Sequence, residues 1–343
     1  LQEVVLAVFL LGILVTFHEL GHFLAGRSSG VYVHEFALGM GPVIFSRQGK
    51  ETRYSLRLIP VGGFTKFAGE EGTDRDEDAL IPRGRLLLAQ SPGTKAWIVF
   101  AGPMANLLIA SLAFFIVFSF VGIGKPATTL SEVLAGYPAE NAGIKAGDKV
   151  VSVAGIATST WQDMSAVVQP RAGMQTEVVL QRGDETVTVN VTPIAVGGVG
   201  VIGVRPTFTV ERTGLFRGLY EGGKETVIVS VAWVSDIFGM LLGKVAPDVT
   251  GPVGIAQILG EAARMGVGEL VYLFGALSAN LGLLNLMPVP ALDGSRLIFA
   301  GVEALRGKPI DPDKESFIHF VGFFLLMTLF VVITYRDILR LIR

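Results

Sequence analysis

The feature that most limits this chain is a set of long stretches without a charged side chain. A helix needs roughly 20 mostly apolar residues to cross about 30 Å of hydrocarbon. Three runs meet that length outright: Ala96 to Gly124, Leu270 to Leu292, and Ser316 to Tyr335, where His319 is the titratable interruption. A fourth run, Val4 to Phe17, continues through His18, Glu19 and His22 to Ala25, long enough to span as one helix. A cleaved signal peptide is the rival reading of that first run, but the basic start and the small residues at the end are missing, so a retained span is expected. With 50% of residues apolar and 17% charged, the composition is that of a membrane protein.

The stretch Thr226 to Gly243 is apolar but interrupted by Asp236 and flanked by Glu221, Lys224, Glu225 and Lys244. It reads as an interfacial or packed amphipathic helix rather than a fifth span. The expected order is a first span over 1–26, a segment with a β-hairpin over 27–95, a second span over 96–124 and an inserted domain over 125–204. A linker over 205–269, a third span over 270–294, a loop over 295–315 and a fourth span with its tail over 316–343 complete it.

Four spans place both ends of the chain on one side, and basic residues then decide which side. Residues 27–95 hold ten (Arg27, Arg47, Lys50, Arg53, Arg57, Lys66, Arg75, Arg83, Arg85 and Lys95), and the third connection holds four (Arg296, Arg306, Lys308 and Lys314). Against these fourteen stand Arg336, Arg340 and Arg343 of the tail. The two connections are therefore expected to be cytoplasmic and the segment Lys125 to Glu269 extracytoplasmic. The near balance of 28 Lys+Arg against 30 Asp+Glu offers no basic face for nucleic acid. The absence of cysteine excludes disulfides, thiolate nucleophiles and iron–sulfur ligation.

Within the first span, His18-Glu19-Leu20-Gly21-His22 is an HExxH sequence. Positions i and i+4 share one helix face, so both imidazoles can reach one zinc ion while Glu19 can reach a water beside it. Ionisable side chains inside a span are costly and usually face a functional interior. A third ligand is required, and His34, His319 and the carboxylates are the candidates. Asp293, in Asn285-Leu-Met-Pro-Val-Pro-Ala-Leu-Asp-Gly294, fits best, because the first and third spans run in the same direction and bring His22 and Asp293 to the same depth. Pro288 and Pro290 break the third helix there, which is tolerated where protein lines a cavity. The bland alternative for Asp293-Gly294 is a turn at a helix end.

Three motifs in order, His18 to His22, Ala101-Gly102-Pro103-Met104-Ala105-Asn106, and Asn285 to Gly294, make the chain similar to the site-2 protease family of intramembrane zinc metalloproteases. With a domain inserted between the second and third spans, it resembles the bacterial regulator-of-sigma-E protease group over essentially its whole length. The resemblance implies zinc held by His18, His22 and Asp293, with Glu19 as general base. It also implies that Asn280, Asn285 and Asn106 bind the substrate backbone, although asparagines in spans can equally bridge helices. The sequence departs at Asp293-Gly294-Ser295-Arg296, where relatives often carry a second Gly and then His; the ligand itself is intact. The implied activity is cleavage of the transmembrane segment of a single-pass membrane protein, of the anti-sigma factor or remnant signal peptide type, in a bacterial inner membrane. A non-proteolytic scaffold and a metal or solute transporter are the rival classes, the latter leaving the HExxH spacing unexplained.

Val31 to Phe67 alternates like two strands joined by Arg47-Gln48-Gly49-Lys50, a hairpin or small sheet. The resemblance places it beside the active site at membrane depth, where an exposed strand edge can hold an unwound substrate by strand addition. Glu70 to Asp78 reads as a solvated acidic loop. Gly136 to Asp148, followed by Val150-Val-Ser-Val-Ala-Gly155, resembles a PDZ domain of the bacterial protease type. Thr160 to Val168 would be its groove helix, and Glu177 to Leu180 and Thr186 to Val191 its closing strands; such domains take peptide termini. Gly251-Pro-Val-Gly254 reads as a turn. The expected fold is thus a polytopic α-helical membrane protein of about four spans with a membrane-associated β-hairpin and an inserted α+β PDZ domain.

Overall fold

The computed structural model describes residues 2–70, 78–244 and 250–342. The chain forms two compact units, one from Leu1–Val121 with Thr213–Arg343 and one from Gly122–Arg212. Among the described residues four helices are long and apolar enough to cross a membrane: Gln2–Ser28, Pro92–Val121, Val267–Leu286 and Asp313–Arg340.

The first unit opens with α1 (Gln2–Ser28), which carries Glu3 in its first turn and Arg27 in its last, both favourable to the helix dipole. The hairpin follows as β1 (Val33–Gln48) and β2 (Arg53–Phe67), but each strand bends once more. Gly39 and Gly62 adopt φ of +83° and +82°, left-handed backbone that a Cβ would oppose. As a result Phe36 pairs with Thr65 on one side and Tyr54 on the other, and Tyr54 also pairs with Arg47. The hairpin is therefore four arms wide, in the order 63–67, 33–38, 53–57, 43–48, with arms 63–67 and 43–48 at its edges. Phe23, Val31, Val33, Phe36, Phe67, Ile98 and Ala101 form the core between the sheet and its helices.

The expected acidic loop is corrected at its end. Asp78 is buried; it accepts from His34 Nε2 at 2.7 Å and from the Gly69 amide at 3.0 Å, so this carboxylate is a staple and is not solvated. Residues 71–77 lie outside the described residues.

Helix α2 (Pro92–Ile116) begins four residues before the charge-free run, because Ser91 caps it through the Thr94 amide and Pro92 suits its first turn. The charge that hid this start, Lys95, is neutralised inside the unit: its Nζ lies 2.9 Å from both carboxylate oxygens of Glu303. At the other end a wider turn, Val117–Val121, closes the helix.

The second unit runs through β3 (Ile123–Val133), α3 (Pro138–Asn141), β4 (Lys149–Val153), β5 (Ile156–Ala157) and α4 (Trp161–Val168). It continues with β6 (Thr176–Arg182), β7 (Glu185–Val191), β8 (Ile194–Val196), β9 (Val199–Val201) and β10 (Val204–Glu211). The main sheet has the order β10-β3-β4-β6-β7, with β5 paired to β4, and β8 and β9 make a separate hairpin. Helix α4 is fixed by a capping box between Thr160 and Asp163. Leu130, Val150, Val153, Met164, Val178 and Leu180 make the core under the sheet. Residues 205–211, read from sequence as linker, belong to this unit, because β10 pairs along β3 from Val204↔Val133 to Glu211↔Ile123.

The chain returns to the first unit as α5 (Leu215–Leu241) and α6 (Pro252–Met265). Residues 226–241 of that apolar stretch belong to α5, whose Glu225 accepts from the Tyr272 hydroxyl at 2.6 Å. Gly251 to Gly254 is the start of α6 and not a free turn: the Asp337 carboxylate accepts from the Gly251 and Gly254 amides at 3.3 and 2.9 Å. Helix α7 (Val267–Leu286) stops before Pro288, which cannot donate and disfavours helix in the residue ahead of it. The expected third span to 294 is thus shorter, and the expected loop 295–315 is largely helix, α8 (Asp293–Arg306), ended by Gly307 at φ +65°. Helix α9 (Pro312–Ile342) completes the unit.

Candidate metal centre

One turn of α1 separates His18 from His22, and both face the interior of the first unit. Their rings stand edge to face, 4.7 Å apart at 88°, with the two Nε2 atoms 3.1 Å from each other. Asp293, the first residue of α8, places Oδ2 2.9 Å from His18 Nε2 and 3.3 Å from His22 Nε2. Three donors on a tetrahedron with bonds of ~2.0–2.1 Å stand about 3.3 Å apart, so the spacing matches a zinc site. The Asp293 Oδ2 is buried without a hydrogen-bond donor, as a ligand atom should be. Two imidazoles and a carboxylate also leave a tetrahedral ion one open position for water or substrate, the arrangement of catalytic rather than structural zinc.

The surroundings orient these donors. His22 Nδ1 lies 2.8 Å from the backbone carbonyl of Ile98, so the ring proton sits there and the Nε2 lone pair faces His18 and Asp293. Gly102 permits this: a Cβ at that position would lie 2.3 Å from His22 Nε2. Asn106 is 0% exposed and its carboxamide nitrogen lies 3.3 Å from His18 Nδ1, while its Oδ1 has no partner. The two ends of a carboxamide have the same outline, and turned over it would give an Nδ1–H of His18 its acceptor. Glu19 has His22, His18 and Asp293 as electrostatic neighbours, and its backbone carbonyl accepts from the Thr65 hydroxyl of the 63–67 arm at 3.1 Å. A potential base thus lies between the donor cluster and a sheet edge.

Residues 6–329, which include all of this machinery, match the family described as Peptidase family M50. The chain belongs to peptidase family M50. It is 30% identical to the zinc metalloprotease RasP of Oceanobacillus iheyensis over 99% of this chain and 100% of that one. It is 30% identical to the zinc metalloprotease RasP of Geobacillus kaustophilus over 98% of each. It is 29% identical to the regulator of sigma-W protease RasP of Bacillus subtilis over 99% of each. The molecule is a membrane peptidase with the donor set of a metalloprotease.

In this M50 peptidase the structure gathers His18, Glu19, His22 and Asp293, and adds Asn106 from α2. Asn106, expected from the resemblance to bind substrate, contacts His18 and has no exposed surface. Asn280 and Asn285 lie on the last turns of α7, both half-buried, the Oδ1 of Asn280 without a partner. His34 is engaged by Asp78, and His319 lies on α9, where its Nδ1 accepts the Ala291 amide at 3.1 Å. The carbonyl of Ile98 and the bare Cα of Gly102 carry no sequence signal of their own; only the presence of Gly102 within the Ala101 to Asn106 motif pointed to that helix.

Proposed function

We propose that the protein is a zinc endopeptidase that cuts within transmembrane segments of single-pass membrane proteins. The observation that carries this is the convergence of His18, His22 and Asp293 ligand atoms within 4.8 Å of one another, with both histidines on α1, a helix long enough to span. Zinc, when bound, polarises the scissile carbonyl and lowers the pKa of water toward about 7. Glu19 takes the proton of the attacking water and passes it to the leaving amine. Asn106 acts on His18 rather than on substrate, fixing the tautomer that leaves Nε2 free.

A transmembrane helix hides its peptide bonds in its own hydrogen-bond ladder, so it must unwind before it is cut. Arm 63–67 is an edge of the four-arm sheet and runs beside Glu19, which suits it to receive the unwound segment as an added strand. Asn280 and Asn285 are proposed to hold the same backbone. The 122–212 unit is read as a PDZ-type domain that screens substrates by their peptide termini, since α4 packs on the sheet formed by β4 and β6. The fourteen basic residues of the two connections support a site toward the cytoplasm of a bacterial inner membrane, with this unit outside. The Bacillus subtilis relative is named a regulator of sigma-W protease, which favours membrane-anchored anti-sigma factors, alongside remnant signal peptides, as substrates.

The test combines metal analysis of detergent-purified protein with cleavage of a tagged single-pass substrate, for wild type, Glu19→Gln and Asp293→Ala. Expected are about one zinc in wild type and in Glu19→Gln, cleavage in wild type alone, and diminished metal in Asp293→Ala. Wild-type protein that binds no zinc would replace this reading with a scaffold.

A further inference from the structure

The connection from α7 to α8 reverses the chain within a few residues. Val289 and Leu292 close tight turns onto the Met287 and Val289 carbonyls, and between them Ala291 sits at φ +74°. That is the left-handed region, which any residue with a Cβ avoids unless its surroundings hold it there. The reversal is what returns the chain to α1 and delivers Asp293 to His18 and His22.

The hold comes from α9, a helix that supplies no ligand. His319 Nδ1 accepts the Ala291 N–H at 3.1 Å. Acceptance at Nδ1 puts the ring proton on Nε2, which lies 3.8 Å from Glu315 Oε1. The ring is braced edge to face on Phe299, 5.6 Å away at 78°. One turn further along α9, a Cβ on Gly322 would come within 2.4 Å of the Pro290 Cβ, so the helix backbone presses directly on the same loop. A cavity of about 490 Å³, lined among others by Arg296, Phe299, Glu315 and His319, flanks the contact.

We propose that His319 is a positioning residue for the metal centre: by accepting the Ala291 amide it holds the Pro288–Leu292 loop on the course that presents Asp293 to the two histidines. The inference rests on Asp293 being a ligand. Asp293 alone of the three ligands lies off α1, so slack in this loop becomes slack in ligand spacing. A phenyl ring fills the place of the imidazole but cannot accept; an asparagine carboxamide sets its oxygen close to where Nδ1 was.

The experiment uses the full chain in detergent and measures zinc affinity by competition with a chromogenic chelator, together with hydrogen exchange of metal-free protein. His319→Phe is expected to weaken zinc binding about 10–100-fold, as loss of an outer partner does, and to speed exchange in the peptide covering residues 288–292 while α1 peptides are unchanged. His319→Asn should return both towards wild type. Wild-type affinity and exchange in His319→Phe overturn the proposal, and so does an Asn variant as weak as Phe, which would show that an acceptor for the Ala291 amide does not restore the site. If His319→Phe does not fold, His319→Leu is compared with His319→Leu/Ala291→Gly. Glycine takes φ +74° without a Cβ penalty, so recovery of zinc affinity supports the proposal and no recovery overturns it. Asp293→Ala is the separate control: if it keeps wild-type zinc affinity, the ligand reading fails, whatever the His319 variants do.

Discussion

Lys95 Nζ meets both carboxylate oxygens of Glu303 at 2.9 Å, joining the first turn of α2 to α8 across 208 residues of sequence. Both side chains are largely buried, 13% and 16% exposed. Removing one partner strands a charge, whereas removing both leaves an apolar contact. Lys95→Met alone is expected to cost about 3 kcal/mol and to lower the melting temperature of the detergent-solubilised protein. The double variant Lys95→Met/Glu303→Met should recover most of that loss. Equal melting temperatures for the single and double variants would show that the pair is screened and carries little energy.

Gly102→Ala tests the packing behind His22. The added methyl would need to occupy space 2.3–2.4 Å from ring atoms of His22, so the ring must swing off the Ile98 carbonyl. Zinc affinity should fall at least about tenfold, while helix content by circular dichroism is kept, since Ala favours helix over Gly. Unchanged zinc affinity would mean that α2 shifts to absorb the methyl.

Asn106 separates ligand orientation from substrate binding. Asn106→Ala is expected to reduce zinc affinity about 10–100-fold, and Asn106→Asp, which keeps an acceptor for the His18 Nδ1–H, to retain most of it. A substrate contact predicts a different result: full zinc affinity in Asn106→Ala and a raised KM. Measuring both constants on the same preparations distinguishes the two.

The 122–212 unit has its own acid sensitivity. The Arg182 guanidinium grips Asp148 through two bonds of 2.7 Å each, the Lys145 amide adds a third at 2.8 Å, and the carboxyl is held below the usual carboxylate range. A depressed folded-state pKa stabilises above the unfolded value, near about 4, and that stability is lost as pH falls through the lower folded value. Asp148→Asn should therefore cost about 1–3 kcal/mol at neutral pH and flatten the stability profile below about pH 4. The denaturation midpoint can be followed by fluorescence of Trp161, which packs against this core, after Trp97 and Trp233 are replaced by Phe. A wild-type profile in Asp148→Asn would assign the acid response to other carboxylates.

Hydropathy located the four apolar helices because lipid-facing and buried residues are apolar alike. The His18–His22 spacing needed only the helical period, and the loop bearing Asp293 was marked by Pro288 and Pro290. Features that depend on distant partners were illegible. The charge of Lys95 delayed the expected start of the second span because Glu303 lies 208 residues away. Arg296, Glu303 and Arg306 made α8 look like a loop, although two of these charges are paired, Glu303 with Lys95 and Arg296 with Glu70 at 2.8 Å. The hairpin was read as two strands because nothing in local alternation reveals that Phe36 has two neighbours across the sheet. Asn106 carries the residue type of a substrate clamp, and its complete burial beside His18 could not be read from the sequence.

The strands that begin and end the second unit, β3 and β10, are hydrogen-bonded neighbours, with Ile123 opposite Glu211. In the first unit the flanking residues are joined as well, the Thr213 amide donating to the Phe118 carbonyl at 2.8 Å. Both sides of the junction are therefore closed loops in their own right. Such a join lets the inserted unit behave as an exchangeable cassette: it can be deleted, duplicated or replaced by another fold with adjacent ends without rethreading the helices that hold His18, His22 and Asp293. Under the proposed function, substrate screening and peptide-bond cleavage can thus diverge at different rates along a single polypeptide.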